Sequence, residues 1–105
     1  MSSKTVAFVL YPGLTPLDLI GPLQVMSGLE AVEEALGSPD RHHVVVVAER
    51  LDAFPTDTPA RIAASNTLDD VPAPDVIFVP GGGAPTLRQL ANPVLLDYVR
   101  EADRT

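Results

Sequence analysis

Residues 5–20 read TVAFVLYPGLTPLDLI, which describes a strand that passes through a short turn into a helix. The first six residues are apolar or β-branched without alternation, and this is typical of a strand covered on both faces. Pro12 and Gly13 end the strand. Thr15 and Pro16 suit the cap and the first position of a helix. The stretch therefore predicts the first strand and first helix of an α/β fold.

The helix that follows is predicted from apolar residues spaced three or four apart, and Gly37 ends it. Such spacing is typical of an amphipathic helix with one buried stripe. Gly21 and Pro22 interrupt the pattern, and Pro22 cannot donate a hydrogen bond to the carbonyl of Asp18, so a kink or a restart is expected there. The predicted stripe comprises Leu19, Leu23, Met26, Leu29, Val32 and Leu36.

Two later apolar runs predict two more buried strands, HVVVVA at 43–48 and DVIFV at 75–79. Between them, residues 50–59 are interpreted as a surface loop or irregular hairpin and residues 61–65 as a short edge strand. A short helix is expected over residues 85–90. A last helix is capped by Asn92, runs to about Asp103 and buries one side, for which the expected residues are Leu95, Leu96 and Val99.

These elements predict one domain, an α/β fold with an open parallel sheet and helices on both faces. Ligands of such sheets bind beyond the carboxyl ends of the strands, where the strand order reverses. If the first strand lies beside the third, as in flavodoxin-like folds, the loop from Tyr11 to Asp18 faces the loop from Pro80 to Pro85. The prediction is therefore a site between these two loops.

The composition of the chain narrows the classes of partner. Its 105 residues include 7 Lys plus Arg against 14 Asp plus Glu, and the basic residues are scattered, so this segment is not expected to bind nucleic acid. No apolar run reaches membrane-spanning length, and the default location is the cytoplasm. The chain has no cysteine, which removes disulfides, thiolate metal sites and a cysteine nucleophile from it. His42 and His43 are interpreted as surface residues, and neither a metal nor a cofactor is expected.

Asp18 and the run Gly81, Gly82 and Gly83 are the residues that point to chemistry. Three glycines between a strand and a helix allow backbone N–H groups to approach an anion. A bound phosphate is disfavoured because Asp18 would repel it and no Walker signature is present, whereas an oxyanion formed only in a transition state fits. Two structural alternatives stay open: Asp18 as the acid of a capping box, and the glycines as a tight exit from the strand.

Taken together, VLYPGLTPLDLIGPLQV after the first strand and DVIFVPGGG after the third resemble the ThiJ/PfpI superfamily, which is flavodoxin-like and related to class I glutamine amidotransferases. The most specific piece is DLIGP at 18–22. The nearest subgroups are the isonitrile hydratases and the similar N-terminal sensing domains of AraC-type regulators.

The resemblance implies an enzyme that adds water to an isonitrile and releases an N-substituted formamide. Asp18 would be the catalytic acid/base, partly buried among apolar neighbours, and the amides of the glycine run would stabilise the anion. Leu19, Ile20 and Gly21 would line the pocket of a small neutral substrate. Family members of this type are commonly dimers, so a homodimer is expected.

The chain departs from the family pattern because the elbow strand with its nucleophilic cysteine would follow residue 105. We expect residues 1–105 to be the N-terminal part of a single ThiJ/PfpI-like domain, completed by the C-terminal remainder or by a complementing chain, and inactive alone. Two alternatives remain: the sensing domain of an AraC-type regulator, and another activity of the superfamily, such as an amidase, a protease or a glyoxalase.

Overall fold

The computed structural model describes residues 2–80 and 93–103, which form an α/β fold. The strands are β1 (Ser2–Val9), β2 (Asp40–Ala48), β3 (Phe54–Pro55), β4 (Arg61–Ile62), β5 (Asn66–Thr67) and β6 (Val76–Phe78), and the helices are α1 (Pro16–Ala35), a 3-10 helix (Leu68–Asp70) and α2 (Pro93–Asp103).

The main sheet of the described residues is parallel, with the strand order β5-β2-β1-β6. Val6 of β1 lies opposite Val44 of β2 on one side and Val76 of β6 on the other. This confirms that the first and third predicted strands are neighbours. Because parallel strands end at the same edge of a sheet, the segments that leave β1 and β6 start side by side.

Strand β1 is the centre of the hydrophobic core, as its uninterrupted apolar run predicts. Ala7 is fully buried between the two neighbouring strands, and Phe8 packs on Phe78 with the ring centroids 5.0 Å apart. The buried cluster comprises Val6, Ala7, Phe8, Val9, Leu10, Tyr11, Leu14, Leu19, Val45, Val47, Ala48, Phe54, Leu68, Leu95 and Tyr98.

The predicted buried stripe of α1 is correct for its first half and wrong for its second. Leu19 is fully buried and Met26 packs against the core, whereas Leu29, Val32 and Leu36 are exposed. Each residue advances about 100° around the helix, so a residue three positions later lies about 60° short of a full turn. Each step of three therefore moves the stripe by about 60° around the helix. Three such steps follow Leu23, so the later leucines and valine lie on the solvent side.

Two glutamates occupy the sheet-facing positions of the second half of α1. Glu33 accepts a 2.8 Å hydrogen bond from the backbone N–H of His42, and its second oxygen lies 2.7 Å from Nδ1 of the same histidine. The imidazole of His43 lies 3.4 Å from Glu30. The hydrogen bonds from His42 hold the pKa of Glu33 below its usual value. Both histidines of β2 therefore fasten α1 to the sheet.

Helix α1 continues through Gly21 and Pro22, so the predicted restart does not occur. Pro22 removes one backbone hydrogen bond, the one to the carbonyl of Asp18. Leu19 and Leu23 pack against the core on either side of this position and hold the helix.

The segment between β2 and β6 differs in part from the prediction. The edge strand expected over residues 61–65 is confirmed only in part: Arg61–Ile62 is a strand, but it pairs antiparallel with Phe54–Pro55 and not with the main sheet. The edge of the sheet is Asn66–Thr67, which pairs parallel with the end of β2. Two-residue strands carry too short a periodic pattern to be recognised from sequence.

Helix α2 runs from Pro93 to Asp103 as predicted. Leu95 is buried as expected, but Val99 is exposed, and Tyr98 takes the buried position with its hydroxyl donating a 2.6 Å hydrogen bond to the carbonyl of Val71. The helix expected over residues 85–90, the cap Asn92 and the side chain of Leu96 lie outside the described residues. Neither described α-helix combines the length and the hydropathy that crossing a membrane requires.

Candidate functional site

The loop after β1 is tied to the segment that leaves β6. The Tyr11 side chain is buried, and its hydroxyl donates a 2.6 Å hydrogen bond to the carbonyl of Pro80. The backbone N–H of Leu10 also donates to Val47 of β2 over 2.8 Å. The loop is therefore attached to both neighbours of β1 at the carboxyl edge of the sheet.

Residues 55–57 hold the same loop from another side. The N–H of Gly13 donates to the carbonyl of Pro55 over 2.8 Å, and the N–H of Asp57 donates to the carbonyl of Leu14 over 3.0 Å. The hydroxyl of Thr15 donates to the Asp57 carboxylate over 2.5 Å. The segment that the sequence predicted as a surface loop or irregular hairpin therefore supports the loop that leads to Asp18.

Gly13 gives the loop its turn. Its φ of 86° lies in the left-handed region, where a side chain is strained. The turn directs the chain into α1, and the side chain of Leu14 is fully buried beneath it.

Asp18 lies in the first turn of α1, directly after this anchored loop. Its backbone N–H donates to the carbonyl of Thr15 over 3.0 Å, and the positive end of the helix dipole favours its carboxylate. The side chain is exposed, so the partial burial expected from its apolar neighbours is wrong: Leu17 and Ile20 on either side of it are exposed as well. An exposed carboxylate in the first turn is free to face a ligand.

The capping-box alternative for Asp18 is not formed. The cap residue Thr15 makes no capping hydrogen bond with its side chain, because its hydroxyl is engaged with Asp57. Among the described residues no side chain is hydrogen-bonded to the Asp18 carboxylate. The capping role therefore does not account for this acid.

The three expected pocket residues differ in exposure. Leu19 is fully buried in the core, Ile20 is exposed and Gly21 is half-buried. Gly81, Gly82 and Gly83 lie outside the described residues. Pro80, the last described residue before them, is the one whose carbonyl accepts the Tyr11 hydrogen bond. Pro80 itself is thereby held beside the loop that leads to Asp18.

A small cavity of about 70 Å³ lies beside the same loop, on the side of β2. Arg50 at its wall covers the ring of Phe54 at 4.3 Å from the centroid, and its Nε lies 3.7 Å from Asp52. The lining residues are Leu10, Tyr11, Pro12, Glu49, Arg50, Phe54 and Leu95. Within residues 2–80 and 93–103 no group of three metal-ligating side chains converges.

Sequence reasoning missed the two residues that position the candidate site, Tyr11 and Asp57. Tyr11 adjoins an apolar strand and so looks like its last core residue, and its hydroxyl partner lies 69 positions away. Asp57 lies in a polar, proline-rich stretch with no periodicity. Neither contact leaves a local signal in the sequence.

Comparison with known proteins finds a similar enzyme of known activity. The chain is 31% identical over 96 residues to an isonitrile hydratase from Pseudomonas putida, a match that covers 90% of this chain and 37% of that enzyme. No family model matches the chain.

Solved structures agree with this match. A ThiJ/PfpI family protein from Pseudomonas syringae superposes with a TM-score of 0.72 at 26% identity, covering 97% of this chain and 38% of that one. A DJ-1 superfamily protein from Salmonella typhimurium superposes with a TM-score of 0.72 at 23% identity, covering 96% of this chain and 50% of that one, and this likeness concerns the fold alone.

The chain thus spans between 37% and 50% of the length of these three proteins. The match to the hydratase, the superposition on the Pseudomonas syringae protein and the flavodoxin-like sheet all identify the same group. These similarities support the assignment of this chain to the ThiJ/PfpI superfamily.

Proposed function

We propose that these residues form the N-terminal part of an isonitrile hydratase-like enzyme. The reaction adds one water to the isonitrile R–NC: its oxygen and one hydrogen go to the terminal carbon, and the second hydrogen goes to nitrogen, which gives R–NH–CHO. The observation that supports the proposal is the hydrogen bond from Tyr11 to Pro80, because it joins the loop before Asp18 to the residue that precedes Gly81 in the sequence.

Asp18 is the acid/base of this proposal. Its place in the first turn of α1 keeps the carboxylate at the carboxyl edge of the sheet, where ligands of such folds bind. The Asp18 side chain is exposed among the described residues, so a nucleophile and a substrate would have room beside its carboxylate. It would accept the proton of the nucleophile and return a proton to the substrate.

The nucleophile of the proposal is a cysteine outside residues 1–105, on the C-terminal remainder of the domain or on a complementing chain. The cysteine sulfur would bond to the isonitrile carbon, and the amides of Gly81, Gly82 and Gly83 would stabilise the negative charge that develops. Water would then add to the same carbon, and the carbon–sulfur bond would break to release the formamide and return the thiol. The substrate is small and neutral, since a dianion would be repelled by Asp18. No resident cofactor or metal takes part, and the cytoplasm remains the location that the sequence predicts.

The test is formamide production from an alkyl isonitrile by the intact protein, followed by proton NMR. Asp18→Asn should lower kcat by about 100-fold to 10,000-fold, the usual contribution of a general acid/base. Glu34→Gln is the matched control, because it removes an exposed carboxylate from the same helix. Turnover by Asp18→Asn within about twofold of the Glu34→Gln rate would reject the assigned role.

The same assay separates the alternative functions. A protein that binds the isonitrile without turning it over would be a sensor, as in the AraC-type regulators that the sequence resembles. A protein that neither binds nor hydrates isonitriles would belong to another activity of the superfamily, and the isonitrile proposal would then be wrong.

A further inference from the structure

Gly21 leaves a gap in the surface of α1, about one turn after Asp18. It lies in the second turn of the helix, where glycine costs stability relative to alanine. A Cβ atom built on Gly21 meets no atom within 4 Å, so packing among the described residues does not require a glycine here. The gap is therefore space that the described part of the fold leaves unused.

The gap has four neighbours on the helix surface, at three and four residues before and after Gly21. All four are exposed, and they are Leu17, Asp18, Gln24 and Val25. Leu17 and Val25 are 77% and 71% exposed and flank the gap along one row of the helix. Asp18 is the only charged residue of the four. We call Gly21 and these neighbours the Gly21 notch.

The notch has the dimensions of a small hydrocarbon group. Leu17 and Val25 are eight residues apart, which is about 12 Å along the helix axis. Asp18 is displaced from Gly21 by about 4.5 Å along the same axis, toward the anchored loop. A molecule that lies over Gly21 would therefore rest between two apolar side chains and bring one end to the carboxylate.

The chemistry of the notch suits a neutral molecule with an apolar body. Small-molecule sites combine apolar contact with a few polar groups that fix the orientation of the ligand. Leu17 and Val25 offer the apolar contact, and the Asp18 carboxylate offers the polar group. A protein that covered the notch would also bury this carboxylate, which is costly unless a charge is paired with it. A small molecule suits the notch better, because it leaves water on the far side of the carboxylate.

We propose that the Gly21 notch holds the organic group R of the isonitrile and limits its size. This inference rests on the proposed function, because it places the R group of the same substrate. The terminal carbon of the isonitrile lies toward Asp18, and R lies over Gly21 between Leu17 and Val25. The protein therefore prefers a compact hydrocarbon R group to methyl, and it disfavours an R group that carries a carboxylate, which Asp18 repels.

Turnover of cyclohexyl isonitrile and methyl isonitrile by the intact protein tests this placement. The measured quantity is the ratio of the two kcat/KM values, cyclohexyl over methyl. Gly21→Val fills the notch and should lower this ratio by about 10-fold to 200-fold, the usual effect of a small change of shape in an apolar pocket. Gly28→Val is the matched control. A Cβ atom on this second glycine of α1 also meets nothing within 4 Å, but Gly28 lies two turns beyond the notch, so the ratio should not change.

A second pair of variants tests the apolar wall of the notch. Leu17→Ala removes apolar contact with the R group and should lower the same ratio by about tenfold. Leu36→Ala is its control, because Leu36 is 78% exposed and caps the far end of α1. This control should leave the ratio unchanged.

The outcomes separate this inference from the proposed function. Circular dichroism checks that each variant keeps its helices, and Leu17→Ala decides the matter if Gly21→Val does not fold. Hydration of both isonitriles with a ratio that neither notch variant changes relative to its control would overturn the notch and leave the proposed function standing. Hydration of neither isonitrile by the wild-type protein would overturn both. A less stable Gly21→Val protein with an unchanged ratio would assign the space to another segment of polypeptide and would also overturn the notch.

Discussion

Tyr11→Phe tests whether the edge of the sheet depends on one buried hydroxyl. The ring is 1% exposed, and phenylalanine keeps its packing while it removes the donor of the 2.6 Å hydrogen bond to Pro80. The Pro80 carbonyl would lose that donor in a buried place. Loss of a net hydrogen bond together with such a desolvated acceptor costs about 1–3 kcal/mol in the free energy of unfolding.

Urea unfolding of the intact protein measures this free energy, and isonitrile turnover measures the consequence for the site. Tyr11→Phe should also lower kcat/KM, by up to about 100-fold, because small displacements of catalytic groups are costly. Tyr98→Phe is the matched control. It removes a 2.6 Å hydrogen bond to the carbonyl of Val71, which precedes β6. This change should lower the free energy of unfolding by about 0.5–1.5 kcal/mol and should not affect turnover.

An unchanged free energy of unfolding in Tyr11→Phe would refute the claim that this hydrogen bond fastens the loop to Pro80. Equal losses of turnover in Tyr11→Phe and Tyr98→Phe would refute the claim that the first hydroxyl acts on the site in particular.

Two further predictions concern the loop and the helix. Gly13→Ala should lower the free energy of unfolding by about 1–2 kcal/mol, since its φ of 86° is strained for alanine, and an unchanged urea midpoint would contradict the turn geometry. The pKa of Glu33 is lowered in the folded protein by hydrogen bonds from His42, so its stabilisation is present above the usual value of 4.5 and is lost as the pH falls through the folded pKa. Glu33→Gln should therefore lose less stability than the wild type on acidification through this range, whereas parallel pH profiles of the urea midpoint would contradict the pairing.

The main elements of the fold could be predicted because they depend on local patterns. Uninterrupted apolar runs identified β1, β2 and β6, and the Thr15–Pro16 pair identified the start of α1. The adjacency of β1 and β6 followed from the usual order of such sheets.

The face of α1 that packs on the sheet could not be predicted from residue spacing alone. Apolar residues at intervals of three and four fit two stripes, and only the sheet shows that Glu30 and Glu33 are the inward ones. Met26 and Leu29 were predicted to belong to one buried stripe. The structure separates them because the rotation accumulates over successive steps of three.

The residues assigned to the candidate site stay a prediction, and the contacts that hold the loop before Asp18 could not be predicted from the sequence. Asp18 stood out as the charge in an apolar stretch. It lies in the first turn of α1, where the predicted helix start places it. The contacts of Tyr11 with Pro80 and of Thr15 with Asp57 join residues far apart in the chain. Such contacts leave no periodicity, and they were found only in the structure.

We predict that Asp18 and the glycine run share one cavity with a nucleophilic cysteine. A crystal structure of the intact protein measures the distances from the Asp18 carboxylate to the amides of residues 81–83 and to the nearest cysteine sulfur. We predict a carboxylate within hydrogen-bonding reach of that sulfur, with the glycine amides lining the same cavity. A carboxylate in bulk solvent, with no cysteine beside it and the glycine run turned away, would contradict a shared cavity.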